Sequence, residues 1–127
     1  MKVGFIAGAF DLLHPGHIHA LAFASYHCDF LIVGLHVDPS LERKGKNKPI
    51  QTVYERYCQL RACKYVDRII PYETENDLLN VLATESLDVR FLGSEYEDRK
   101  ITGRELVHIE YIPRLHSFSS SELRKRL

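Results

Sequence analysis

Net charge, a disulfide pattern and any long apolar run are all missing from this chain. Seventeen Lys and Arg balance seventeen Asp and Glu, so no overall field recommends nucleic acid or a membrane surface as a partner. Electrostatic work falls to local charge. Cys28, Cys58 and Cys63 are odd in number and lack CxxC spacing, and Cys58 and Cys63 stand off a common helix face. They read as reduced packing residues of a cytoplasmic protein. No stretch approaches the roughly 18 apolar residues of a membrane span. The N-terminus opens on a strand pattern, with no basic segment leading into an apolar one. Internal repeats, low-complexity tracts and interdomain linkers are absent too. Residues 1–127 are therefore expected to form one domain, which buries roughly two thirds of its unfolded surface.

What is present is a regular alternation. Residues 3–7 form a short apolar run, β-branched at Val3 and Ile6 and ended by Gly8, which suits a buried parallel strand. A helix is expected over about 16–27, a strand over 30–36, a helix over 53–62 and a strand over 68–71. A helix over 75–85 carries Leu78, Leu79 and Leu82 at helical spacing, and strands over 89–92 and 107–112 complete the set. Such βα alternation predicts an α/β fold: a Rossmann-like parallel five-stranded sheet with helices on both faces. Ligands of such sheets sit beyond the carboxyl ends of the strands, where strand order reverses.

The segment after the first strand reads Gly-Ala-Phe-Asp-Leu-Leu-His-Pro-Gly-His over residues 8–17. Pro15 suits a first helical turn, where its missing N–H costs no hydrogen bond. Amides at a helix start attract anions, and His14 and His17 add imidazoles beside them. Residues 8–17 therefore read as a phosphate-handling loop. The pattern His-x-x-His-x-His over 14–19 has no Cys or Glu nearby, which argues against a transition-metal site. His19, His27, His36 and His108 read as surface or packing residues, and His116 is left open. Asp11 either hydrogen-bonds loop amides or helps organise a hydrated Mg²⁺. A second cationic segment, Arg43-Lys44-Gly45-Lys46-Asn47-Lys48, follows the second strand, from whose end Lys44 and Lys46 can reach a triphosphate above the loop. Near the C-terminus, Ser119 with Glu122 forms a capping box for a short helix over 123–127.

The order of these motifs resembles the cytidylyltransferase family of the nucleotidyltransferase superfamily. His14-Pro15-Gly16-His17 matches its HxGH element. Tyr54-Glu55-Arg56-Tyr57 with Lys64-Tyr65-Val66-Asp67 is similar to its ERY…RYVD segment. Pro113-Arg114 with Phe118-Ser119-Ser120-Ser121 is similar to its C-terminal arginine and serine motif. The resemblance implies that His14, His17, Lys44 and Lys46 are catalytic, with Lys48 a weaker candidate. It implies nucleotide contacts from Gly8, Ala9, Phe10, Asp11, Gly93, Arg114, Ser119, Ser120 and Ser121, and acceptor contacts from Arg56 and Glu95. It also implies a homodimer bordered by residues 64–67, where Lys64 replaces the usual arginine, and Mg²⁺ carried mainly by the nucleotide phosphates.

The activity so implied is transfer of CMP from CTP to a small phosphorylated alcohol, glycerol 3-phosphate as first choice, with release of pyrophosphate. The alternative is adenylyl transfer from ATP, as in relatives acting on heptose phosphate, nicotinamide mononucleotide or phosphopantetheine. A third reading is a nucleotide-binding module without catalysis. The stretch Leu115-His116-Ser117 departs from the glycerol phosphate pattern, as does Glu95 where aspartate is usual.

Overall fold

Strands β1 (Val3–Gly8), β2 (Phe30–His36), β3 (Arg68–Tyr72), β4 (Val89–Gly93) and β5 (Ile109–Ile112) alternate with helices α1 (Pro15–Tyr26), α2 (Val53–Arg61) and α3 (Glu75–Thr84). These come from a computed structural model, which describes residues 1–114 and Lys125. The strands form one parallel sheet in the order β3-β2-β1-β4-β5. The chain moves outward from β1 through β2 to β3, then returns through α3 to the other side of β1. Strand order thus reverses between β1 and β4, and the carboxyl end of β1 overlooks the switch point.

Apolar residues on both faces of the central strands explain why the runs do not alternate with polar residues. Ile6 joins Leu21, Val33, Leu35, Leu60 and Phe91 in one core, under α1 and α2. Its neighbour Phe5 joins Ile32, Tyr72, Leu78, Leu82 and Val107 in a second core, under α3. Helices therefore cover both faces, as the alternation predicts.

Aspartates bind the opposite edge of the sheet together. Asp29, Asp67 and Asp88 each stand one residue before a strand and accept an amide N–H from the strand beside it: Lys2 N at 2.7 Å, Leu31 N at 2.8 Å and Val3 N at 2.8 Å. Their own amides donate to the carbonyls of those same three residues. Each such bond is worth about 1 kcal/mol or more because the acceptor is charged. The arrangement gathers carboxylates at the amino edge, away from the switch point.

Element bounds differ from expectation by one or two residues. The largest difference is β5, which begins at Ile109 instead of residue 107. Val107 is buried in the core beneath α3, so its apolar character serves packing and not strand pairing. Two short 3₁₀ turns, Pro39–Leu41 and Ser94–Tyr96, follow β2 and β4. The helix expected after Ser119 lies outside the described residues.

Candidate active site

Helices α2 and α3 start conventionally, with Thr52 and Thr74 as caps and Glu55 and Asp77 completing capping boxes. Helix α1 starts differently. Its cap is His14, and its first turn holds no acidic residue. The Nδ1 atom of His14 accepts the Gly16 N–H at 3.0 Å, and the Nδ1 atom of His17 accepts the His14 N–H at 3.2 Å. A neutral imidazole that accepts at Nδ1 carries its proton on Nε2. The capping arrangement thus places the proton of each neutral ring on Nε2. The rings stack with centroids 3.8 Å apart.

Burial also fixes the charge of His17. Burial pushes its pKa down to about 4 from 6.5, the adjacent His14 pushes in the same direction, and Asp11 opposes them. His17 is neutral at physiological pH, a hydrogen-bond donor and not a cation. The unfolded chain takes up this proton near pH 6.5 and the folded chain only near 4. The folded state therefore loses stability as pH falls from 6.5 towards 4, by up to about 3 kcal/mol from this group, with no further loss below. Urea unfolding at pH 7, 5.5 and 4.5 should show that decline, and His17→Gln should flatten it.

The loop ahead of α1 is strained and clamped. Phe10 and Leu12 have φ of 50° and 51°, a left-handed conformation that costs non-glycine residues about 1–2 kcal/mol each. Asp11 lies between them, and its Oδ2 and Oδ1 accept the amides of Ile50 at 2.8 Å and Gln51 at 2.9 Å. Gln51 returns the contact, its Oε1 accepting the Leu12 N–H at 2.8 Å. Asp11 is thus a scaffold for the loop. The Phe10 ring is buried in the core with its centroid 5.4 Å from that of His17, so it supports the imidazole from below.

Arg56, expected at an acceptor phosphate, is enclosed and held by backbone carbonyls. It is 2% exposed. Its Nη1 donates to the carbonyls of Ala9 at 3.0 Å and His36 at 2.7 Å, and its Nη2 donates to that of Val37 at 2.6 Å. Its Nε is shared between the carbonyls of Gln51 and Thr52. Burial lowers the guanidinium pKa, and Asp11 and Asp38 offset part of that effect. Arg56 thus joins the loop after β1, the end of β2 and the entry to α2 through their carbonyls.

The other expected residues divide by position. Gly8 ends β1 and lies in register with Leu35, and Gly93 ends β4 at the same edge. A Cβ at Gly93 would lie 2.5 Å from Glu95 Oε2, which places the Glu95 carboxylate over the end of β4. Arg114 is exposed two residues beyond β5. Lys44 and Lys46 are exposed on the segment after β2, and no hydrogen bond or ion pair joins their side chains to another among the described residues. Ser119, Ser120 and Ser121 lie outside the described residues. No group of three His, Cys, Asp or Glu able to hold a metal occurs among the described residues. No helix there is long and apolar enough to cross a membrane. Gln51 was not singled out in the sequence. An amide side chain just before a Thr-capped helix gave no sign of its partner 39 residues away.

A parallel sheet with its switch point beside a helix that starts on two Nε2–H donors defines a nucleotidyltransferase-type Rossmann-like domain. The cytidylyltransferase-like family matches residues 5–126, and the chain belongs to that family. It is 38% identical over 132 aligned residues to Bifunctional protein HldE of Nitrobacter winogradskyi, covering 99% of this chain and 27% of that protein. It is 33% identical to Bifunctional protein HldE of Campylobacter jejuni strain RM1221, covering 99% and 28%. The chain thus spans about a quarter of the length of these curated relatives. Among solved structures, the lipopolysaccharide core biosynthesis protein from Thermoplasma volcanium superposes with a TM-score of 0.72 at 27% identity, covering 93% of this chain and 99% of that one. Pantothenate synthetase from Thermus thermophilus shares the fold, with a TM-score of 0.63 at 14% identity, covering 99% and 64%.

Proposed function

We propose that this domain transfers the adenylyl group of ATP to a small sugar phosphate, with release of pyrophosphate. The observation that carries nucleotidyl transfer is the stacked His14–His17 pair, whose Nε2–H donors stand at the start of α1 beside the switch point. The choice of ATP and a sugar phosphate over CTP and an alcohol phosphate rests on the relatives. Similarity to the HldE proteins and to a lipopolysaccharide core biosynthesis protein favours the heptose phosphate branch of the superfamily. The sequence features that suggested CTP, Tyr54 to Asp67, include two residues with structural duties: Arg56 holds loops, and Asp67 caps β2.

The chemistry follows from the site. An anionic oxygen of the acceptor phosphate attacks the α-phosphorus in line, a new phosphorus–oxygen bond forms, and the bond to the bridging oxygen of pyrophosphate breaks. The nucleophile is already ionised, so no general base is needed. Catalysis comes from positioning and from donors aimed at the charge of the transition state. The neutral His17 donates Nε2–H to an α-phosphoryl oxygen with His14 beside it, while Lys44 and Lys46 supply positive charge to the leaving pyrophosphate. Both oxygens of Asp11 already accept amides, which fits Mg²⁺ held chiefly by the triphosphate, where it would neutralise phosphate charge. Pairing of two copies through residues 64–67 belongs to the same proposal, and sedimentation at micromolar concentration decides it.

Pyrophosphate release, measured with ATP and with CTP across sugar 1-phosphates, glycerol 3-phosphate and phosphocholine in the presence of Mg²⁺, tests the reading. Turnover with ATP and a sugar phosphate is expected. Turnover only with CTP would overturn the choice of nucleotide. Tight nucleotide binding without release from any pair would leave a binding module.

A further inference from the structure

The lysine segment is held at both ends, and one holder lies outside the site. On one side, Ile50 and Gln51 bind Asp11 of the loop before α1. On the other, residues 42 and 43 are tied to Glu75, the first residue of α3. The Glu75 N–H donates to Glu42 Oε1 at 2.8 Å, and the Glu75 carboxylate pairs with the Arg43 guanidinium. Between these anchors the chain makes a tight turn. The Lys46 N–H donates to the Arg43 carbonyl at 3.3 Å, and Gly45 has φ of 85° with open space around it. A positive φ at the third residue is what a type II turn requires of glycine. Arg43 is the first residue of that turn, and Lys44 and Lys46 are its second and fourth.

The Glu75 carboxylate is poorly placed for stability alone. Its Oε2 is buried with no hydrogen-bond partner, and His36 Nε2 and Arg90 Nε are likewise buried without one. A partly paired carboxylate in such surroundings adds little to folding and more to fixing one arrangement. That arrangement is the direction of a turn carrying two cations.

We infer that Glu75 is a positioning residue, which sets the reach of Lys44 and Lys46 towards the triphosphate by holding Arg43. This rests on the proposed nucleotide site, and its test separates the two. ATP affinity, with CTP in parallel, is measured for the wild-type chain, Glu75→Gln, Arg43→Ala, Lys44→Ala and the Glu75→Gln/Lys44→Ala double variant. Glu75→Gln and Arg43→Ala should each weaken binding about tenfold, the size of coupling common between linked residues. The double variant should be no weaker than Lys44→Ala by more than about twofold, because a lysine already lost gains nothing from a fixed turn. Trypsin cleavage after Arg43, Lys44 and Lys46 should accelerate at least about fivefold in Glu75→Gln, since a released turn opens more often.

Additive losses in the double variant, or an unchanged cleavage rate, would overturn the inference. Failure of the wild-type chain to bind either nucleotide would remove the proposed function instead, and the cleavage rates would still decide whether Glu75 holds the turn. Arg43→Ala guards against misfolding, because it breaks the same pair from the exposed side.

Discussion

His17→Ala should lower turnover by on the order of 10² or more, the usual cost of removing one donor aimed at a transition-state oxyanion. The variant also deletes the acceptor of the His14 N–H, so two further variants separate capping from catalysis. An asparagine places its carbonyl oxygen near the position of Nδ1 and can keep the cap. A glutamine places its amide nitrogen near Nε2 and can keep the donor. Single-turnover rates should rank wild type above His17→Gln, and His17→Gln above both His17→Asn and His17→Ala. If His17→Asn matched wild type, the imidazole would be a structural cap only, and the proposed role of Nε2–H would fall.

Arg56→Met should be the most destabilising substitution of a charged residue outside the histidine pair. The change leaves carbonyls from three segments without their donor in a place where the side chain is 2% exposed. Hydrogen bonds from a charged donor are worth about 1.5–3 kcal/mol each, and the effects overlap, so a loss of about 3–5 kcal/mol is expected. For a chain of this size that corresponds to roughly 10–20 °C in melting temperature. Arg56→Lys should rescue little of it, since an ammonium cannot reach carbonyls on three sides as a planar fork does. A melting temperature within about 2 °C of wild type for Arg56→Met would contradict the framework role.

The part of the molecule legible in the sequence is the part governed by near neighbours. Short apolar runs, such as residues 3–7 ended by Gly8 and residues 30–36, read correctly as buried parallel strands. The leucines of α3 read correctly as one helical face, because burial on a 3.6-residue period leaves its mark within three turns. His14, Pro15, Gly16 and His17 show a helix start with imidazoles beside it for the same reason: capping is settled within three residues. Arg56 shows the opposite case. A motif resemblance picked out this arginine, but nothing near it in the sequence showed that its guanidinium donates to carbonyls 19, 20 and 47 residues away. No local pattern encodes which carbonyls a fold leaves in need of a donor.

The sequence by itself determined the α/β alternation, the order of the motifs and the two histidines at the head of α1, since each depends on spacing within a segment. Tertiary structure decided what those residues do. It buried His17, which lowers the pKa of that imidazole to about 4. It turned Asp11 towards Ile50 and Gln51, enclosed Arg56, and tied the lysine turn to Glu75. The pairings of Asp11, Arg56 and Glu75 join segments far apart in the chain, and only packing brings such groups within hydrogen-bond reach.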